Sequence, residues 1–347
     1  MKVLLIFLLA ICTSQAAPFK LEKDSRIVLL GNGLGSRMMQ SGRFEASLHV
    51  LHPEKHLFIR NMCDEGNTPG FRPHSGRPSP WAFPGAEKFH PPLSKAKDRW
   101  GSGNTGTGSM PTPDEWLTQL KPDIIIAFFG YNESFKGQAG LESFKGELRA
   151  FIKHTRAQKY NGTAAPKLAL VSPPGFEDPS TDRERVVDAN LALYTAAMEG
   201  VAKEEKIAFL NCNAPFQSWF KVKETLTRDG ILFNSTGHEH LAELIVDKLF
   251  GGRPADAFRY GIRLAVREKN WLWEKYYKIP NGVHVYGKRH KPYGPANYPA
   301  ELKKLEEMTA NRDQAIWAAL SGKSFDLAAS DANTTPLPEI KTNYKPS

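Results

Sequence analysis

Few side chains in this sequence stand where they could do chemistry. Asn132 closes the run Gly130-Tyr131-Asn132, directly after the most apolar stretch in the chain, Asp123-Ile-Ile-Ile-Ala-Phe-Phe129. An amide there can donate to a carbonyl oxygen, and the C-terminal ends of strands are where open α/β sheets place their sites. Asp229 offers a carboxylate, and His238 and His240 follow it at the start of a helix-like stretch, where either could swing back as a base. A metal site built from these three is disfavoured, because residues two apart on a helix do not share a face. Cys63 would be a nucleophile only with a depressed pKa and a base beside it, so an inert buried thiol is expected. Ser36 lies one turn into the first helix and is expected to point away from the strand end.

The elements that must position these groups follow a repeating pattern. Arg26-Ile-Val-Leu-Leu runs into Gly31-Asn32-Gly33, and Phe44, Leu48 and Leu51 then recur at helical spacing. That is a strand, a tight turn and a helix. Further strands are expected at 57–61, 123–129, 167–171 and 207–210, with helices at 114–120, 141–152, 187–201 and 241–249. Five strands alternating with helices make a doubly wound α/β sheet. Past Pro254 strands give way to two helices, 253–278 and 299–320, and the tail from Ser324 reads as polar and extended. The expected division is a leader 1–16, a sheet domain 17–252, a helical extension 253–323 and a tail 324–347.

Between Met62 and Pro113 the chain is long, irregular and rich in Gly and Pro, with Arg72, His74, Arg77 and Lys88 among Trp81, Phe83 and Phe89. Such a loop suits a functional lid or wall. Two readings stand open: a sugar-binding wall, or an insertion whose aromatics pack on the core.

Composition narrows the setting. Lys2, the apolar run Val3–Ile11 and Ser14-Gln15-Ala16 describe a secretory signal cleaved after Ala16. An exported protein is expected, with no membrane association after cleavage. Losing Lys2 lowers the formal charge from +9 to +8. The excess favours acidic polymers, and for an exported chain an acidic or acetylated polysaccharide is a better match than nucleic acid. Cys12 leaves with the leader, so Cys63 and Cys212 remain and are expected as free buried thiols. No C-x-x-C occurs, so neither attached haem nor a cysteine zinc site is expected, and no cofactor is implied.

Four blocks taken together resemble the SGNH/GDSL hydrolases, over roughly residues 24–250. Gly31-Asn32-Gly33-Leu34 is similar to their Gly-Asp-Ser-Leu, with Gly33 where the nucleophilic Ser stands. Asn61-Met62-Cys63 resembles the second block, with Cys63 in place of Gly. Gly130-Tyr131-Asn132 keeps the third block, whose Asn lies in the oxyanion hole. Asp229-Gly230-Ile231-Leu232 resembles the last block, with Leu232 where the catalytic His stands. The long loop, Phe128–Ser134 and the extension look like a divergent bacterial branch. The resemblance implies a flavodoxin-like five-stranded parallel sheet of order 2-1-3-4-5 and an ancestral ester hydrolase, of the kind that acts on O-acylated carbohydrate. It implies catalytic roles for Asn132 and Asp229 and a cleft lined by Asn32, Gly33, Asn61, Cys63 and Gly130, with Ser36 and His238 as possible substitutes. The alternative is a glycan or acyl-sugar binding protein on the same frame.

Overall fold

β1, Arg26–Gly31, is buried along nearly its whole length, because its apolar residues face helices on both sides of the sheet. The structure is a computed structural model that describes residues 19–72, 83–89, 111–222, 224–253, 259–279 and 294–339. The leader 1–16 and most of the basic, aromatic loop lie outside the described residues.

After β1 come α1, Gly33–Ser41, α2, Arg43–Leu51, and β2, Phe58–Asn61. Then follow α3, Pro113–Leu120, β3, Ile124–Phe128, the single turn α4, Tyr131–Ser134, and α5, Leu141–Ala157. β4, Lys167–Val171, α6, Asp182–Glu205, β5, Ala208–Leu210, and α7, Asn213–Trp219, continue the alternation. α8, Ser235–Ile245, passes into a wider turn over Val246–Phe250. Then come α9, Arg259–Lys278, α10, Gly294–Leu320, and α11, Leu327–Ala332.

The five strands pair in the order β2-β1-β3-β4-β5, all parallel. Alternate residues feed two cores. Val28, Leu30, Ile125 and Ala127 face α5 and α6, whereas Ile27, Leu29, Ile126 and Phe128 face α1, α2 and α8. The register Gly31↔Phe128 sets the ends of β1 and β3 side by side, so the turns at 32–33 and 130–132 converge.

Several expectations change. The first helix is two, because Gly42 at φ 64° caps α1 by donating to Met38 O and turns the chain. α7 was not anticipated. The tail is not simply extended: Asp326 caps α11, and Asp331 accepts hydrogen bonds from Arg312. The last long helix begins at Gly294 and carries Pro299 inside it.

The extension is built into the sheet's open edge. Among the described residues no strand lies beyond β2, and the carbonyls of Leu57, Ile59 and Asn61 point outward. Trp317 Nε1 donates to Leu57 O (3.2 Å), Lys269 Nζ to Ile59 O (2.9 Å) and Trp273 Nε1 to Asn61 O (2.7 Å). Donors on two helices thus take the place of a sixth strand, which satisfies an edge that would otherwise be a template for pairing. Two buried ion pairs lie alongside, Lys269–Glu45 and Arg60–Asp313. Burial alone would raise the Glu45 carboxyl, but Lys269 and His49 hold it down at about 2. Trp273 and Tyr277 also stack on each other within the first core, while Trp271 remains exposed.

Candidate functional site

The site lies where β1, β2 and β3 end. Asn32 is buried and caps α1, its Oδ1 accepting from Leu34 N at 3.2 Å. Asn61 spans two elements: Nδ2 donates to Gly35 O (2.7 Å) and Oδ1 accepts the Cys63 N–H (2.8 Å). The Cys63 backbone donor is therefore already engaged. Its thiol is fully buried, and burial raises its pKa, so it stays protonated. Cys212 is likewise free, buried and raised by burial.

Gly33 is pressed by a residue that sequence reasoning missed. A Cβ built on Gly33 would lie 2.1 Å from Glu65 Oε2, so a carboxylate fills the space a side chain at 33 would use. Arg37, one turn along α1, stands 3.4 Å from the same oxygen. The loop carrying Glu65 is held by Asn132, whose Nδ2 donates to Glu65 O (2.8 Å) and Asn67 O (2.9 Å). Asn67 is buried and donates to Gly31 O at 3.1 Å. Both amide hydrogens of Asn132 are thus used in fixing the loop, where the sequence suggested a donor to substrate.

Gly130 sits at φ 94°, and a Cβ there would press on Met198 Sδ at 2.8 Å, so the third block needs glycine. Its N–H donates to Glu133 Oε2 at 2.8 Å. Tyr131 is partly buried beside this turn, and burial followed by the charge of Asp229 raises its phenol pKa.

Asp229 is exposed, and its Oδ1 accepts from the N–H groups of Ile231 (3.1 Å) and Leu232 (2.7 Å). It closes its own turn and makes no bond to His238. His238 is 9% exposed and lies against the Phe233 ring, with no partner for Nδ1. Burial, then the charges of Arg37, Arg228 and Arg43, lower its pKa to about 4. The His240 ring lies tilted against Trp219, with ring centroids 4.7 Å apart. Ser36 is buried, and its Oγ accepts from Lys278 Nζ at 2.9 Å. In the described part of the long loop, Phe83 packs into the core against His154, and Arg72 lies buried over the Phe129 ring.

The structure therefore gathers Asn32, Gly33, Asn61, Cys63, Gly130 and Asn132 at one strand end, with Glu65 and Asn67 added. Asp229 and His238 stand apart from each other. One signal could have found Glu65: it comes four residues after Asn61, and in this strand order that loop must lie beside Gly33. Among the described residues, no group of three His, Cys, Asp or Glu side chains could hold a metal ion, and no helix is long and apolar enough to cross a membrane.

Residues 80–240 match the model of the GDSL-like Lipase/Acylhydrolase family. That span holds the third and last blocks; the first two precede it and are joined to it by the sheet order. No curated protein matches the chain. Among solved structures, a Parabacteroides merdae ATCC 43184 protein assigned as a GDSL-like lipase is 15% identical, over 67% of this chain and 99% of its own, with a TM-score of 0.45. A catalytic mutant of Axe2, an acetylxylan esterase from Geobacillus stearothermophilus, is 16% identical over 67% and 96%, with a TM-score of 0.43. LAE5, an alpha/beta hydrolase enzyme from the metagenome of Lake Arreo, Spain, is 18% identical over 66% and 96%, with a TM-score of 0.44. These scores are too low to carry a function across. By the family match over residues 80–240 and the order of its sheet, the chain is similar to the SGNH/GDSL hydrolases.

Proposed function

We propose that this protein is an exported member of the esterase superfamily that binds an O-acylated or acidic saccharide without forming an acyl-enzyme. The observation that carries this reading is the Glu65 carboxylate in the space that a side chain at 33 would fill. Covalent acyl transfer needs an activated nucleophile with a base in reach. Gly33 supplies no hydroxyl, Leu232 supplies no imidazole, and Cys63 is a buried thiol without a base. Loss of either member of a nucleophile–base pair removes most of the rate. Glu65, half-exposed and paired with Arg37, is suited to accept hydrogen bonds from sugar hydroxyls. The basic composition and the leader 1–16 support an extracellular acidic or acetylated polysaccharide as the partner.

A second reading has one specific support. A carboxylate held where a nucleophile would act could instead activate water, with direct attack on the ester and no covalent intermediate. Acetate release from acetylated polysaccharides separates the two. Binding without release is expected from the native protein, and binding should weaken in Glu65→Ala. The triple variant Gly33→Ser, Leu232→His, Glu65→Ala restores hydroxyl and imidazole and clears the carboxylate from the new side chain. It should gain measurable esterase activity. Release by the native protein that disappears in Glu65→Gln would overturn the binding reading in favour of the water route.

A further inference from the structure

A cavity of about 440 Å³ opens between α1, α2, α9 and the loop leading into α8, within the size range of small-ligand sites. Arginines in its wall bring their own partners. Arg37 pairs with Glu65 at 3.4 Å, and Arg43 is held by Glu239 and by Ser235 Oγ at 3.2 Å. Arg228 and Arg267 also line it, but both are exposed to solvent. One polar group in the wall is not satisfied: His238, nine-tenths buried, has no hydrogen-bond partner for Nδ1. Its ring is neutral near pH 7, because burial and then the charges of Arg37, Arg228 and Arg43 lower its pKa to about 4. Leu232 and Phe233 give the cavity an apolar side, and Gln40 adds an exposed amide.

A neutral imidazole, an amide and two ion pairs call for no counter-ion. They set hydrogen-bond donors and acceptors side by side, and a sugar hydroxyl, which is both donor and acceptor, needs such a surface. The apolar side suits the C–H face of a sugar ring. We propose that the cavity takes an uncharged sugar ring of the bound saccharide, next to the acylated ring held in the cleft. A ring hydroxyl would supply the bond that His238 Nδ1 lacks, an omission that is costly at a buried atom. The two sites are contiguous. Leu232, from the last block, lines the cavity, and Arg37 reaches from it to the Glu65 carboxylate beside Gly33. α9 supplies Arg263 and Arg267 to the lining, so the helical extension builds part of the binding surface. The assignment rests on the saccharide reading of the cleft and adds a neutral subsite to it.

The test is calorimetric titration of the whole protein with partially acetylated cello-, xylo- and galacturono-oligosaccharides of one to four sugars. At least one of the two neutral series should bind, with affinity rising at least tenfold between one sugar and three. Gln40→Trp places a bulky ring in the cavity from an exposed position, so folding should survive. It should erase the gain with length and leave the single sugar bound as before, whereas Glu65→Ala should weaken every ligand. In parallel, the His238 ring signals followed by NMR should shift with the three-sugar ligand and stay in place with the single sugar. Affinity independent of length, as a lone water at Nδ1 would give, overturns the subsite. So does a gain with length that survives in Gln40→Trp, a His238 ring that does not respond, or length-dependent binding of the acidic series alone. In each of these cases binding that still needs Glu65 leaves the cleft reading standing. No binding of any oligosaccharide by the native protein would overturn both.

Discussion

Glu133 carries the most displaced carboxyl near the third block. It is buried, Oε2 accepts the Gly130 N–H, and Oε1 has no partner. Burial, with Glu147 nearby, raises its pKa to about 8. In the unfolded chain the same group loses its proton near the ordinary Glu value. Stability is therefore fully present below that value and declines as the pH rises toward 8, by up to about 1.4 kcal/mol per pH unit. Glu133→Gln keeps an acceptor for Gly130 and cannot ionise. Its melting temperature should match the native protein at pH 4 and exceed it at pH 8 by scanning calorimetry. Equal declines in both proteins would show that Glu133 is not ionised on unfolding in this range. The same residue shows what sequence could convey about the site. Gly130-Tyr131-Asn132 is contiguous and follows a strand that announces itself, so its place was legible. The use made of the Asn132 amide was not, because its partners are carbonyls at 65 and 67, in a stretch without periodicity.

At the scale of elements, the strands were legible because a buried parallel strand reads as an unbroken apolar run, and Ile124–Phe128 is such a run. The hold of α9 on β2 was not, because its key residue, Lys269, looks in sequence like any helical lysine. In the structure Lys269 is fully buried and meets both Glu45 and Ile59 O. Replacing one partner leaves the other charge buried alone, so Lys269→Met should cost about 3–5 kcal/mol in denaturant unfolding. The double variant Lys269→Met, Glu45→Leu removes both charges and should recover most of that loss. A double variant as unstable as the single one would mean that the Ile59 carbonyl bond, rather than the ion pair, carries the interaction.

At the scale of the whole molecule, the separation of sheet domain and extension anticipated from the loss of strands past Pro254 describes composition more than structure. Trp273 and Tyr277 belong to the same core as β1 and β3. A chain cut to residues 17–252 would expose the outward carbonyls of β2 and leave Glu45 and Arg60 without Lys269 and Asp313. It should lack a cooperative melting transition, bind a hydrophobic dye and self-associate, as read by circular dichroism and size exclusion. A monomer that melts cooperatively would show that the sheet stands without its edge helices.

The bonds that finish β2 also set an order of events. Lys269 reaches Ile59 across 210 residues of chain, and Trp317 reaches Leu57 across 260. Contacts so distant form late, after the loop-closure cost has been met. During synthesis the second strand must wait, unfinished, until nearly the last helix has left the ribosome. Asn61, at the end of that strand, leads directly into the Glu65 loop, so the cleft would be among the last parts to mature. A chain passed unfolded through a membrane would meet no conflict in this, because the outer edge of its second strand is completed only when the helices from 259 onward have followed.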